Sequence, residues 1–188
     1  MEDAIALGAD ILMLAQERLE ECTAEQIHDS LARHFLPIVE YAKEKGVRVV
    51  VEDTLDLRLH FCSMGDLKAV LKKVPGLAMA YDSGNMILVG ENPVAYYEAF
   101  SEKVSYVHIK DMRVAEPGEV VGDRAIDGKL ITVAPIGMGM IDLGNVVKSI
   151  KQHHYSGYMP IEFTADAKKD DRKTLIWSRE YVEKWIAD

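Results

Sequence analysis

The sequence predicts an α/β fold in which parallel strands alternate with helices along the chain. Apolar runs of strand length recur between segments that have helical patterns. One of these runs, Val47–Val51, is almost entirely β-branched, which is typical of a strand buried on both faces of a parallel sheet. Repeated βα units imply such a sheet, with right-handed crossovers between its strands.

Five βα units are predicted, because five apolar runs are each followed by a helical pattern. No glycine-rich turn of the GxGxxG or Walker type joins a strand to a helix, so the sequence does not indicate a nucleotide-binding fold. The predicted strands are Ala9–Ala15, Val47–Val51, Leu77–Tyr81, Val104–Ile109 and Tyr158–Phe163.

Capping residues predict where the helices begin and end. Residues 2–7 have the pattern of a helix end that is closed by a glycine. Thr23 and Gln26 have the spacing of a capping box and open a helix over residues 24–45, which Pro37 is predicted to kink or split. Polar caps or a first-position proline also predict helices from Ser63 to about Val74, from Asn92 onwards, from Asp142 to about His153 and over residues 170–186.

One long segment, residues 112–140, shows neither pattern and is predicted to be irregular. It contains five glycines, at positions 118, 122, 128, 137 and 139. A loop of this length in a compact domain is usually functional or mobile.

The composition is that of an ordinary globular protein. The 188 residues are enough for a single domain with a well-formed core, and 48% of them are apolar and 28% charged. The net charge of −9 makes nucleic acid an unfavourable partner, because its phosphates would be repelled.

Compartment signals predict a cytoplasmic protein with no membrane partner. The N-terminal residues are acidic and no apolar signal segment follows them. No run approaches the roughly 20 apolar residues that a membrane span requires. Cys22 and Cys62 are far apart and form no CxxC pair, so both are expected as thiols in a reducing compartment.

Four of the predicted strands end in a side chain that can bind a metal ion. The C-terminal ends of parallel strands are where α/β barrels place their chemistry, so these side chains are expected to converge. Three carboxylates and one imidazole suit a divalent ion such as Mn²⁺. The four residues are Glu52, Asp82, His108 and Glu162.

Each of the four has a plainer explanation when it is taken alone. Glu52 fits a solvated carboxylate at the start of a loop, Asp82 the first residue of a turn, and His108 a core histidine with its hydrogen bonds satisfied. Glu162 lies between two apolar residues, where an unpaired carboxylate is costly. Their recurrence at the same point of four βα units favours a joint functional site.

Around these positions the chain resembles the xylose isomerase-like TIM barrels, the sugar phosphate isomerase/epimerase superfamily. The resemblance covers nearly the whole chain, and His-x-Lys-Asp followed by Gly-x-Gly-x-Ile-Asp is a fairly specific part of it. It implies a single partial domain over residues 1–188, an incomplete parallel (β/α) TIM barrel equivalent to the C-terminal part of a (β/α)₈ barrel. The matching segments are 51–53, 81–85, 107–111, 137–142 and 157–162.

The ketose 3-epimerase branch of this superfamily binds one Mn²⁺-type ion through four such residues. The resemblance therefore implies the four strand-end residues as ligands, with Mg²⁺, Co²⁺ or Zn²⁺ as alternative ions. It also implies Glu52 and Glu162 as the catalytic acid and base. The implied reaction moves a proton next to the carbonyl of a sugar or sugar phosphate, through a metal-stabilised enediolate.

Further residues near the motifs are expected to act around the metal. Asn85, Lys110 and Arg113 are expected to contact the substrate, and Asp111 to orient His108. A solvated charge cluster at the start of a loop is the alternative for Lys110, Asp111 and Arg113. The family often has histidine where this chain has Asn85, which cannot do acid–base work. That departure and the acidic net charge disfavour an endonuclease IV-like phosphoesterase.

The chain is shorter than a complete (β/α)₈ barrel, which typically has about 250 residues. Ala9–Ala15 resembles the fourth strand of the family, so the first three βα units are expected to be missing. Five strands leave two sheet edges exposed, and we expect either a fragment or a homo-oligomer assembled through those edges. A truncated barrel that binds metal or ligand without catalysis is the alternative to an isomerase or epimerase.

Overall fold

The structure, a computed structural model, describes residues 1–16, 22–162 and 171–187. Its centre is a parallel sheet in which β1 pairs with β2, β2 with β3 and β3 with β4. These are the first four predicted strands, with boundaries close to those expected. They are β1 (Ile11–Leu14), β2 (Arg48–Glu52), β3 (Ala78–Asp82) and β4 (Val104–His108).

The prediction of a fifth strand over residues 158–163 is wrong in extent. Within the described residues this segment makes a single parallel bridge, between Ile109 and Ile161. The Ile109 N–H donates to the Pro160 carbonyl at 2.8 Å, and the Glu162 N–H donates to the Ile109 carbonyl at 2.9 Å. Pro160 has no N–H to add to the ladder, which limits the pairing. The last residue of the predicted strand lies outside the described residues.

Helices connect the strands, and the predicted caps are in place. Thr23 and Gln26 form the predicted capping box, and Ser63 forms a second one with Asp66. Asn92 and Asp142 accept hydrogen bonds from the first turns of their helices. Pro37 does not split its helix, which buries a continuous stripe that includes Phe35 and Val39. None of the described helices is long and apolar enough to cross a membrane. The helices are α1 (Glu2–Ala6), α2 (Ala24–Glu44), α3 (Met64–Lys73), α4 (Pro93–Phe100), α5 (Leu143–Gln152) and α6 (Asp171–Ala187).

The segment predicted to be irregular contains a small antiparallel sheet instead. Its strands are β5 (Asp111–Val114), β6 (Asp123–Arg124) and β7 (Leu130–Ala134), in the order β5-β7-β6. The strands are only two to five residues long, which is too short for a clear alternating pattern in the sequence. Gly118, Gly122 and Gly128 lie in the connections between them. This sheet lies between β4 and the loop over residues 135–142, which precedes α5.

The two faces of the parallel sheet have different roles. One face packs against the helices and builds the main core, with Val51, Tyr81 and Val107 fully buried in it. The other face holds a small separate cluster of Val50, Ala78 and Ala80. Side chains alternate along a strand, so the residues at the strand ends that share this second face are Glu52, Asp82 and His108.

Candidate metal centre

Three strand ends and the bridged segment bring four metal-binding side chains together. Glu52 ends β2, Asp82 ends β3, His108 ends β4, and Glu162 follows the bridge to Ile109. One ligand atom from each of the four lies within 4.8 Å of the other three. The convergence predicted from the strand ends is therefore present in the folded chain.

His108 contacts two of the carboxylates. Its Nδ1 forms a hydrogen bond with Glu52 Oε1, and the same nitrogen lies 3.7 Å from Glu162 Oε2. The hydrogen bond to Glu52 raises the pKa of His108, although partial burial opposes the charged form. The ring of Tyr106 packs edge-on against the imidazole, with 5.2 Å between ring centroids, and helps to hold its plane.

Asp82 is fully buried at the base of the cluster. Its Oδ1 accepts hydrogen bonds from the N–H groups of Gly84 and Asn85, at 2.7 and 2.9 Å. Its Oδ2 accepts no hydrogen bond from the described residues, although it lies 3.3 Å from Lys110 Nζ. Burial raises the pKa of Asp82 to about 7, and the Lys110 ammonium counteracts part of that rise.

Lys110 is buried next to the same carboxylates. Its Nζ lies 2.8 Å from Glu162 Oε1 and 3.0 Å from Asn85 Oδ1. Burial by itself would lower the pKa of this lysine, but the Asp82 and Glu162 carboxylates outweigh it and the pKa is raised. The side chain is therefore an ammonium ion inside the site.

The four converging side chains fit a divalent metal ion. Carboxylate oxygens and an imidazole nitrogen are ligands that Mn²⁺, Zn²⁺ and related ions accept. Ligand distances of about 2.0–2.6 Å place opposite ligands of one ion roughly 4–5 Å apart, which agrees with the spacing of these atoms. Asp82 Oδ2 is buried and accepts no hydrogen bond from the described residues, so a bound cation would provide the partner that this oxygen lacks.

A cavity of about 350 Å³ opens beside the cluster and is lined by Glu52 and Glu162. This volume suits a small polar molecule. Gln16 donates a hydrogen bond to the Glu52 carbonyl at 2.7 Å and so ties the segment after β1 to the site. The wall is mixed, with polar side chains at Gln16, Thr54 and Asn85 and apolar ones at Met13, Leu14 and Leu55.

Residues 1–184 match the family model of the xylose isomerase-like TIM barrel. The chain belongs to this family. Among curated members, inosose dehydratase from Lacticaseibacillus casei is 22% identical over 148 residues, a match that covers 76% of this chain and 49% of the relative. The chain thus spans about half the length of the curated relatives that it matches.

Solved structures of xylose isomerase-like barrels share the fold. A D-tagatose 3-epimerase-like protein superposes with a TM-score of 0.75 at 18% identity, covering 99% of this chain and 65% of the other. The IOLI protein, crystallised with a zinc atom, gives a TM-score of 0.74 at 17% identity, covering 99% and 66%. At these identities the likeness establishes the fold, and it confirms the prediction of an incomplete TIM-barrel architecture.

The structure brings some of the other predicted residues to the site and not others. Asn85 and Lys110 line the cavity, where they bond to each other. Arg113 is absent from the described lining of this cavity. Its guanidinium forms two hydrogen bonds with the Glu119 carboxylate, at 2.7 and 2.8 Å, in the segment that follows β5.

Asp111 does not orient His108, in contrast to the expectation. Its carboxylate accepts the backbone N–H groups of Met112, Gly137 and Gly139 at 2.9 Å and of Ile141 at 3.2 Å. A Cβ at Gly139 would lie 2.1 Å from Asp111 Oδ1, so only glycine permits this approach. Asp111 therefore anchors the loop over residues 137–141.

Two residues behind the cluster were not predicted from the sequence. Asp53 is 2% exposed, and neither of its carboxylate oxygens accepts a hydrogen bond from the described residues. Burial, reinforced by Asp82 and Glu52, raises its pKa well above the usual value. Ser83 Oγ bonds both the carbonyl and the N–H of Lys110. Asp53 also contributes to the lining of the cavity, directly after Glu52.

Proposed function

We propose that the protein holds one divalent metal ion and moves a proton at a carbon next to the carbonyl of a sugar or a closely related polyhydroxylated ketone. The observation that carries this proposal is the convergence of Glu52, Asp82, His108 and Glu162 beside a cavity of sugar size. Mn²⁺ is the ion we propose first, and Mg²⁺, Co²⁺ and Zn²⁺ are alternatives. The similarity to inosose dehydratases and to an epimerase-like structure supports this chemistry.

The four proposed ligands would supply three oxygens and one nitrogen to the ion. When bound, a divalent cation stabilises the negative charge that develops on a carbonyl oxygen as the neighbouring carbon loses its proton. His108 would bind as the neutral imidazole, which requires its hydrogen bond with Glu52 to rearrange.

Glu162 and Glu52 are the proposed proton carriers. Both line the cavity, and the Glu162 side chain is 44% exposed, so it is accessible to a substrate. One carboxylate takes the proton, the electron pair of the C–H bond forms a C=C bond, and the π electrons of the carbonyl move onto its oxygen. The other carboxyl group, in its protonated form, then returns a proton to carbon. Delivery to the opposite face of the same carbon is epimerisation, and delivery to the former carbonyl carbon, while the neighbouring hydroxyl loses its proton and becomes the new carbonyl, is isomerisation.

Loss of water is the second candidate reaction. A hydroxyl group one carbon further from the carbonyl can leave after the same proton has been removed, so the initial step is shared. The curated relatives, which are named inosose dehydratases, favour this candidate. Epimerisation or isomerisation is the reaction that we propose first.

Proton exchange tests the proposed step directly. Metal-free protein is reloaded with Mn²⁺ and incubated in D₂O with a panel of ketoses and a keto-inositol, and products are followed by NMR. We expect deuterium at the carbon next to the carbonyl, with a rate at least 100-fold lower in Glu162→Gln. Glu102→Gln, at an exposed carboxylate outside the cavity, should exchange like the parent.

The same spectra separate the candidate reactions. A new sugar stereoisomer indicates epimerisation, a shifted carbonyl indicates isomerisation, and an unsaturated ketone indicates dehydration. Absence of exchange with every compound in the panel would contradict the proposed activity and favour a truncated barrel that binds metal or ligand without catalysis.

A further inference from the structure

The ammonium group of Lys110 is surrounded by protein oxygens. Its Nζ lies 2.8 Å from Glu162 Oε1 and donates to Asn85 Oδ1 at 3.0 Å. It also forms an ion pair with Asp82 Oδ2 at 3.3 Å. The side chain is 4% exposed. A substrate contact would therefore have to compete with these partners.

The turn that follows β3 is shaped around this lysine. Ser83 Oγ donates to the Lys110 carbonyl at 2.6 Å and accepts from its N–H at 2.8 Å. A Cβ at Gly84 would lie 3.0 Å from Lys110 Cδ, so the glycine leaves room for the aliphatic stem. Asn85 receives the ammonium group. Three consecutive residues, 83–85, thus position the backbone, the aliphatic stem and the ammonium group of Lys110.

The charges of the cluster do not cancel one another. Glu52, Asp82 and Glu162 contribute three negative charges when they are ionised as ligands, and a neutral His108 contributes none. Lys110 returns one positive charge at hydrogen-bonding distance. Two negative charges remain around the buried Asp82 and Lys110 side chains, where unbalanced charge is costly. One divalent ion cancels this remainder, and a trivalent ion exceeds it.

We propose that Lys110 is the fixed countercharge of the metal site and sets its preference for divalent over trivalent ions. The inference rests on the proposed metal site but is independent of the substrate. A nearby positive charge repels a trivalent ion more strongly than a divalent one, in proportion to the charge of the ion. Removal of that charge should therefore shift the preference of the site towards trivalent ions.

Calorimetric titration with Mn²⁺ and, separately, with Tb³⁺ tests the inference on the full chain. The variants are Lys110→Met and Lys110→Gln, which are neutral, Lys110→Arg, which keeps the charge, and Lys103→Met, a control at an exposed lysine. The ratio of Tb³⁺ to Mn²⁺ affinity should rise at least tenfold in the neutral variants. It should stay within threefold of the parent ratio in the arginine and control variants.

Circular dichroism identifies the variants that fold, and either neutral variant suffices for the comparison. An unchanged ratio in a folded neutral variant would overturn the countercharge role. A ratio that rises in Lys110→Arg as well would do the same, since shape rather than charge would then be responsible. Mn²⁺ binding by the parent would leave the proposed metal site intact in both cases, whereas no Mn²⁺ binding by the parent would overturn both proposals.

Discussion

Replacement of Asp111 by asparagine tests whether this residue anchors the 137–141 loop. Oδ2 accepts the N–H groups of Gly137 and Gly139, and Oδ1 accepts those of Met112 and Ile141. In asparagine an NH₂ group replaces one carboxylate oxygen, so two of these N–H groups would face a donor instead of an acceptor. Each buried N–H group left without an acceptor costs about 1–3 kcal/mol, so two of them should lower the unfolding free energy by about 2–6 kcal/mol.

Urea denaturation followed by circular dichroism measures this loss. With a slope of about 2 kcal/mol per molar urea, the midpoint should fall by about 1–3 M. Asp127→Asn is the matched control, because Asp127 is exposed and pairs with Lys129, and its urea midpoint should stay close to that of the parent. Mn²⁺ affinity should change less than tenfold in Asp111→Asn. A parental midpoint, or loss of Mn²⁺ affinity without loss of stability, would refute the anchoring role and restore the expectation that Asp111 orients His108.

Three further predictions follow from buried groups and from the sheet edges. Because burial raises the pKa of Asp53, its contribution to the stability of the metal-free protein is full at low pH and is lost as the pH rises. Asp53→Asn should therefore raise the urea midpoint more at pH 8 than at pH 5, and an equal gain at both would contradict this. Burial also raises the pKa of the Cys62 thiol, so in a Cys22→Ser background a disulfide reagent should label Cys62 only after unfolding, and rapid labelling of the native protein would count against it. The homo-oligomer expected from unpaired sheet edges should appear in sedimentation velocity, and a monodisperse monomer would exclude it.

The ends of β2 and β3 could be located from the sequence because these strands are buried on both faces. A strand of this kind appears as an unbroken apolar run, so the first charged residue after it marks its C-terminal end. Glu52 and Asp82 were located in this way, and the parallel order of the strands then brought them together with His108. The helix caps could also be predicted from the sequence, because capping depends on residues only three positions apart.

Partners that are distant in sequence were not predictable in the same way. Asp111 bonds N–H groups 26 to 30 residues further along the chain, and no local pattern reveals that contact. The oxygens around Lys110 come from two separate segments, the end of β3 with the turn after it and the segment that contains Glu162, so their proximity to the ammonium group could be seen only in the fold. The short antiparallel sheet and the single bridge at Ile161 escaped prediction because too few residues pair to leave a periodic pattern.

The metal site is tested most directly by calorimetric titration of the metal-free protein with Mn²⁺. One saturable site per chain is expected. Each of Glu52→Gln, Asp82→Asn, His108→Gln and Glu162→Gln should weaken the binding at least tenfold, while Asp127→Asn should leave it unchanged. The absence of saturable binding, or binding that survives all four substitutions, would contradict a metal site built from these residues.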